Sequence, residues 1–303
     1  MRRANCWRRR SWLIRCEIIG ALFVFWSFAL SAQDARQFVQ KAVNVELAKD
    51  QADHSHWLYF EFDKKPAHSV KQWVADTSNG SLKRVISLNG QKLSPAQQQA
   101  RMNKFLSDPN ALAKQRKSNS HDDKQATEML ELLPKAFLWT REGERGNNII
   151  LHFKPDPNFD PPDFESKVFA AMEGEMDVDK QQLRIATIRG KLMQDVKIFG
   201  GLLGELDAGG TFDVERRETG GGVWQITETH VHIQGHALIF KTISEQEDDV
   251  KSDFKELPQE ITMQQAKNDL LHADQKTAVA AKPASAPRPH ARSRRHRSAR
   301  SPS

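Results

Sequence analysis

Three histidines, His230, His232 and His236, share one parity along residues 229–240. An H-x-H pair in a strand can hold two imidazoles on one face for a metal ion. Val231 and Ile233 take the opposite parity and claim the buried face, which leaves the histidines on the wetter one. No third ligand of fixed geometry stands nearby, so the pattern predicts solvated polar positions and no metal. Asp53-His54-Ser55-His56, with Glu61 and Asp63 close by, supplies acids, bases and a hydroxyl. A hydrolytic site also needs a nucleophile held by a base and an oriented third group. This segment instead falls where a helix pattern gives way to a strand, and polar residues are the default there. No nucleophile elbow, HExxH or phosphate loop occurs. Gly200-Gly201, Gly209-Gly210 and Gly220-Gly221-Gly222 fall between strand patterns and read as loops. The expectation is a chain with no catalytic residues and no cofactor.

The aromatic residues point to binding instead. Trp57, Tyr59, Phe60, Phe62, Trp73, Phe137, Trp139, Phe153 and Trp224 all fall in strand patterns. They serve either as an ordinary core or as the wall of an apolar cavity, since ligand pockets are concave and largely apolar. In residues 57–62 both parities carry aromatics, which fits a sheet covered on both sides at that point.

The elements that position these residues are legible from periodicity. Residues 34–52 repeat apolar side chains at helical spacing through Phe38, Ala42, Val45 and Ala48. Strand patterns follow at 57–62, 70–75 and 82–88 around the turn residues Ser78-Asn79-Gly80-Ser81. Ser94-Pro95 starts a helix over 95–107. A polar stretch, 113–123, separates it from a second helix over 123–133 that Pro134 ends. Strands return at 136–142 and 148–154, followed by a stiff loop through Pro155, Pro157, Pro161 and Pro162. Residues 168–178 alternate cleanly, with Val168, Ala170, Met172, Gly174, Met176 and Val178 on one side. More strands are expected at 183–192, 194–199, 210–217, 223–234, 236–244 and 249–254, and a last helix within 257–275. About ten strands, a leading helix and a two-helix insert describe an α+β fold. It is built on one large curved antiparallel sheet whose concave face the helices cover.

The ends differ from the body. Residues 1–32 open with six arginines, run apolar from Ile18 to Leu30 and close on Ala29-Leu30-Ser31-Ala32. That order is a secretory signal, too short in its apolar part to span a bilayer; Arg9-Arg10-Ser11-Trp12-Leu13 also suits twin-arginine export. Both cysteines, Cys6 and Cys16, lie in this segment. Residues 276–303 carry eight cations and no acid, spaced by Pro, Ala and Ser, and read as a disordered basic tail. The formal charge of +6 therefore hides a body, 33–275, of −7. The expected mature protein is a monomer of one domain, periplasmic or secreted. It would bind no nucleic acid, and its tail could meet anionic envelope polymers or a lipid surface.

Two stretches carry a likeness to a known family. Ile149-Ile150-Leu151-His152-Phe153-Lys154-Pro155 resembles a strand ending in a Lys-Pro step. Glu173 to Ile185, through Asp177-Val178-Asp179-Lys180-Gln181-Gln182-Leu183, resembles a strand–turn–strand hairpin. With the order of elements over 34–255, the chain resembles the outer-membrane lipoprotein carrier and lipoprotein-sorting superfamily. The resemblance implies an unclosed barrel that holds acyl chains in an apolar cavity, and a non-enzymatic role in outer-membrane lipid or lipoprotein trafficking. The long insert, the Pro-rich loop and the basic tail depart from the carrier pattern, and the carrier's functional arginine has no assignable position here. The alternative function is a ligand-free envelope interaction or scaffold protein that uses its basic tail.

Overall fold

The structure, a computed structural model, describes residues 13–198, 204–237 and 241–274. The basic tail, 276–303, lies outside the described residues. The first helix, α1 (Leu13–Ala52), runs unbroken from within the expected signal into the expected leading helix. Among the described residues no helix is long and apolar enough to cross a membrane.

After α1 come β1 (His56–Lys65), β2 (His68–Thr77), β3 (Gly80–Leu88) and the short β4 (Gln91–Lys92). Gly80 adopts φ +125°, a conformation only glycine takes readily, and so permits the turn into β3. The insert follows as α2 (Pro95–Leu106) and α3 (Pro109–Ala136). Ser94 caps α2 reciprocally with Gln97, and Asp108 caps α3 through the amides of Asn110 and Ala111. The polar stretch 113–123 is not a break, as expected from its composition, but the middle of α3. It contains no Gly or Pro, and its Lys, Gln, Arg and Ser residues carry a helix without needing a buried face. Pro134 sits in the last turn rather than ending the helix before it, and the Trp139 indole donates to the Leu133 carbonyl at 2.9 Å.

The remaining elements are β5 (Phe137–Arg145), β6 (Asn148–Pro155), α4 (Phe164–Phe169), β7 (Met172–Asp179), β8 (Ile185–Leu192), β9 (Val196–Ile198), β10 (Gly204–Leu206), β11 (Thr211–Gly220), β12 (Val223–Ala237), β13 (Lys241–Leu257) and α5 (Met263–Leu271). The alternation expected over 168–178 therefore begins outside the strand: Val168 and Phe169 end α4, and Ala170 and Ala171 form a turn. Asp163 and Ser166 form a capping box that starts α4, and the strand begins only at Met172. The strand expected at 236–244 does not stand alone: residues 236–237 end β12, 238–240 lie outside the described residues, and 241–244 begin β13, which runs on through the strand expected at 249–254.

All strands join one antiparallel sheet of 13 strands, ordered β4-β3-β2-β1-β13-β12-β11-β8-β7-β6-β5, with β9 and β10 beside β12. The first and last long strands lie side by side in its middle, and the two ends do not pair, so the sheet stays open. Register identifies one continuous inner face. Trp139 opposes Phe153, Phe153 opposes Gly174, Gly174 opposes Gly190, Gly190 opposes Phe212, and Phe212 opposes Val231. The same face continues through Thr229, Asp249 and Asp63, and then through Tyr59, Val74 and Lys83.

Two cores result. On the inner face α1 packs Ala35, Val39, Ala42 and Val43 on Trp139, Leu151, Phe153 and Met176. On the other face α2 and α5 pack Met102, Ala266 and Leu270 on Leu58, Trp73, Ala75 and Leu82. The insert thus divides: α3 lies on the inner side and α2 on the outer.

Candidate functional site

The nine aromatic residues do not gather around one space. Phe137, Trp139 and Phe153 fill the α1-covered half of the inner face, each at most 1% exposed, with ring centroids 4.8–6.0 Å apart. Phe60 and Trp73 meet edge to face on the outer side, where the Trp73 indole donates to Asp274 at 2.7 Å. Phe62 shares that side under the Lys71 ammonium. Trp57 and Tyr59 face inward and both contact Phe254. Trp224 hydrogen-bonds Gln182 at 3.0 Å and lines a small cleft with Asp50, Asp53 and Gly221–Gly222. Of the two roles expected for these residues, core holds for the β5–β6 aromatics and Trp73, and the nine do not share one cavity wall. Parity sends Phe60, Phe62 and Trp73 to the far side of the sheet, and the β5–β6 aromatics are core.

Free space lies elsewhere on the inner face. The helices pack on β5, β8, β9, β2 and β3, and none lays its length on β11, β12 or β13. Ile226 pairs with Arg216, whose guanidinium reaches Glu46 beneath α1, so Ile226 also faces inward. It is 42% exposed, one of two large apolar side chains so exposed among the described residues. Val214 and Val231 on the same face are half-buried. Together they form an apolar strip between the half covered by α1 and the half crossed by α3. The Gly174–Gly190 pair beside it lets Phe153 and Phe212 sink toward the backbone. A Cβ on Gly190 would stand 2.5 Å from Phe212 Cε1.

Beyond the strip the inner face becomes polar. A cleft of about 710 Å³ lies between α3 and the sheet, lined by Tyr59, Ser81, Lys83 and Lys251 on one side and Lys114 to Asp123 of α3 on the other. Gln115 anchors α3 to this edge by bonding both the Ser81 amide and carbonyl, at 3.0 and 2.9 Å. Glu61, nearly buried, accepts from Gln72 and lies 3.4 Å from Lys83 and 4.0 Å from Lys251. Lys251 also reaches Asp249 at 3.0 Å. Burial pushes the carboxyls of Asp63, Asp76 and Asp249 above the ordinary carboxylate value, and burial together with nearby acids pushes the Tyr59 hydroxyl well up.

Sequence reasoning missed the most buried charge in the described chain. Glu46 is fully enclosed and accepts from Arg184 Nε (2.9 Å) and Nη2 (2.8 Å), from Arg216 Nη1 (2.6 Å) and from the Ile185 amide (2.5 Å). Asp50, one turn on, stands 3.6 and 3.8 Å from the same arginines, and burial holds its carboxyl above the usual value. The signal was present: Val39, Ala42, Val43 and Glu46 share one helical stripe, so an acid stood where an apolar residue belongs. Four donors neutralise it, and the cluster ties α1 to β8 and β11.

His230 and His232 lie on the outer face. His232 is exposed and His230 half-buried, while the His236 side chain is outside the described residues. Asp248 Oδ1 meets His230 Nδ1 at 2.8 Å and His232 Nε2 at 3.3 Å, and the hydrogen bond to Asp248 raises the His230 pKa. Among the described residues no group of three His, Cys, Asp or Glu side chains is arranged to hold a metal. Asp53 and Ser55 serve the turn from α1 into β1: Asp53 accepts from the Ser55 amide, and Ser55 Oγ accepts from the Trp57 indole.

The fold and this site define an α+β protein with one open antiparallel sheet and a partly uncovered inner face. No protein-family model, curated protein or solved structure matches the chain at a significant level.

Proposed function

We propose that this chain is an exported, non-enzymatic protein that binds a lipid or acylated ligand on the inner face of its open sheet. The acyl chain would lie along Val214, Ile226 and Val231, with the polar end toward the cleft under α3. The observation that carries this reading is the surface around Ile226. That residue is 42% exposed and neighbours the half-buried Val214 and Val231 on a stretch of the inner face along which no helix lies, and it is this contiguous surface rather than one side chain that points to a partner. Each methylene buried there contributes about 0.8 kcal/mol before ordering costs. The reading agrees with the family likeness in the strand segments, but it moves the site away from the β5–β6 aromatics, which are already packed.

The runner-up, an interaction protein without a ligand, is favoured by the filled core under α1. Native mass spectrometry of the full chain, purified from the envelope and released without detergent exchange, separates the two. Co-purified lipid-sized adducts that Ile226→Asp removes support ligand binding. An adduct-free spectrum from the unaltered chain supports the runner-up.

A further inference from the structure

The cleft beneath α3 carries both signs of charge in separate rows, which constrains what the polar end of such a ligand can be. Three cations converge on it from three elements: Lys83 of β3, Lys251 of β13 and Lys114 of α3. Two acids, Asp122 and Asp123, line it further along α3. Lys114, Ser118 and Asp122 recur every four residues and so share one stripe of the helix. Lys114 and Asp122 are about 12 Å apart along its axis. Residues 116–124 are exposed all round, so this part of α3 spans the cleft without packing on the sheet. A helix that is polar on every side and held only at its ends leaves the space beneath it wet.

We propose that this cleft is the headgroup site of the amphiphile and that it takes a zwitterionic head, a phosphodiester joined to an ammonium group. The inference rests on the amphiphile reading above. The phosphodiester lies toward Lys83, Lys114 and Lys251, and the ammonium toward Asp122 and Asp123. A purely anionic head meets those two acids, with Glu61 and Asp249 behind the lysines. A purely cationic head meets three lysines. An uncharged sugar head pairs with neither row. The apolar strip lies beside the cleft along the sheet, on the strand next to Lys251. Lys251 follows Val250, the partner of Glu228, and Ile226 lies two residues before Glu228 on the neighbouring strand. A head in the cleft therefore delivers its chains to Ile226 and Val231.

The test is calorimetric titration of the full chain with short-chain amphiphiles kept below their micelle concentrations. The probes are dihexanoyl phosphatidylcholine, dihexanoyl phosphatidylglycerol, hexyl glucoside and chain-free glycerophosphocholine. Phosphatidylcholine is expected to bind at least about tenfold more tightly than the other three. The double variant Asp122→Lys with Asp123→Lys, on the exposed helix surface, is expected to reverse the preference toward phosphatidylglycerol. Equal binding of the three chain-bearing probes, lost in Ile226→Asp, overturns the headgroup assignment and leaves the apolar-chain site standing. Glycerophosphocholine binding as tightly as the lipid does the opposite. Binding of no probe overturns both.

Discussion

Replacing Glu46 by Leu would leave two guanidinium groups, those of Arg184 and Arg216, beside an apolar side chain with their main acceptor gone. Breaking a buried ion cluster on one side typically costs about 3–5 kcal/mol, because the remaining charge is uncompensated. Urea denaturation of Glu46→Leu is therefore expected to show a loss in that range; a loss below about 1 kcal/mol would mean that water already reaches the cluster. His230 gives a pH-dependent test. Its raised pKa means that the stability it contributes is fully present below its ordinary value of 6.5 and disappears as pH rises through the folded value. Asp248, whose pKa is lowered chiefly by the His230 hydrogen bond, contributes above its ordinary 3.8 and loses that contribution as pH falls through its folded value. The pair acts between these limits, so His230→Gln is expected to lower the melting temperature more at pH 5.5 than at pH 8.5. An equal drop at both would refute the linkage.

At the scale of elements, the glycines of β7 and β8 hold the inner face together by what they lack. A Cβ on Gly174 would stand 1.9 Å from the Arg189 carbonyl oxygen, a backbone atom, whereas one on Gly190 would meet the edge of the Phe212 ring. Overpacking that a side chain can relieve costs about 1–3 kcal/mol. Gly190→Ala is expected to fall there in chemical denaturation, and Gly174→Ala to lose more; the reverse order would contradict the register drawn here. These elements also show what the sequence could and could not reveal. The single open antiparallel sheet was legible in period-two patterning and turn residues. The extent of α3 was not, because 113–123 has no apolar stripe and its helicity rests on propensity and on anchors at either end. Nor was α4, because its last two residues, Val168 and Phe169, and the turn at Ala170 and Ala171 extend the period-two pattern of β7 backwards, and only the Asp163–Ser166 capping box marks the helix.

The whole molecule is one sheet used three ways: core under α1, core under α2 and α5, and an open inner surface between α1 and α3. The aromatic candidates divide: Phe137, Trp139 and Phe153 are core, whereas Tyr59 and Trp224 line clefts. Strand parity could not say which face would be covered until the β1–β13 pairing, between the chain's first and last long strands, was known. Trp139, enclosed by Phe137, Phe153 and the Leu133 carbonyl, is expected to cost about 3–5 kcal/mol on truncation to Ala, as a core residue does. Tyr59→Ala should cost far less stability and reduce ligand occupancy instead. Equal stability losses for the two would place Tyr59 in the core as well.

The proposed acyl-chain site is the uncovered strip of β11 and β12. Its most direct measurement is the lipid occupancy of the full chain in native mass spectra, compared between the unaltered protein and Ile226→Asp, with circular dichroism confirming that both are folded. Bound lipid in the first and its loss in the second is the predicted result. Bound lipid at equal occupancy in both, or none in either, contradicts it.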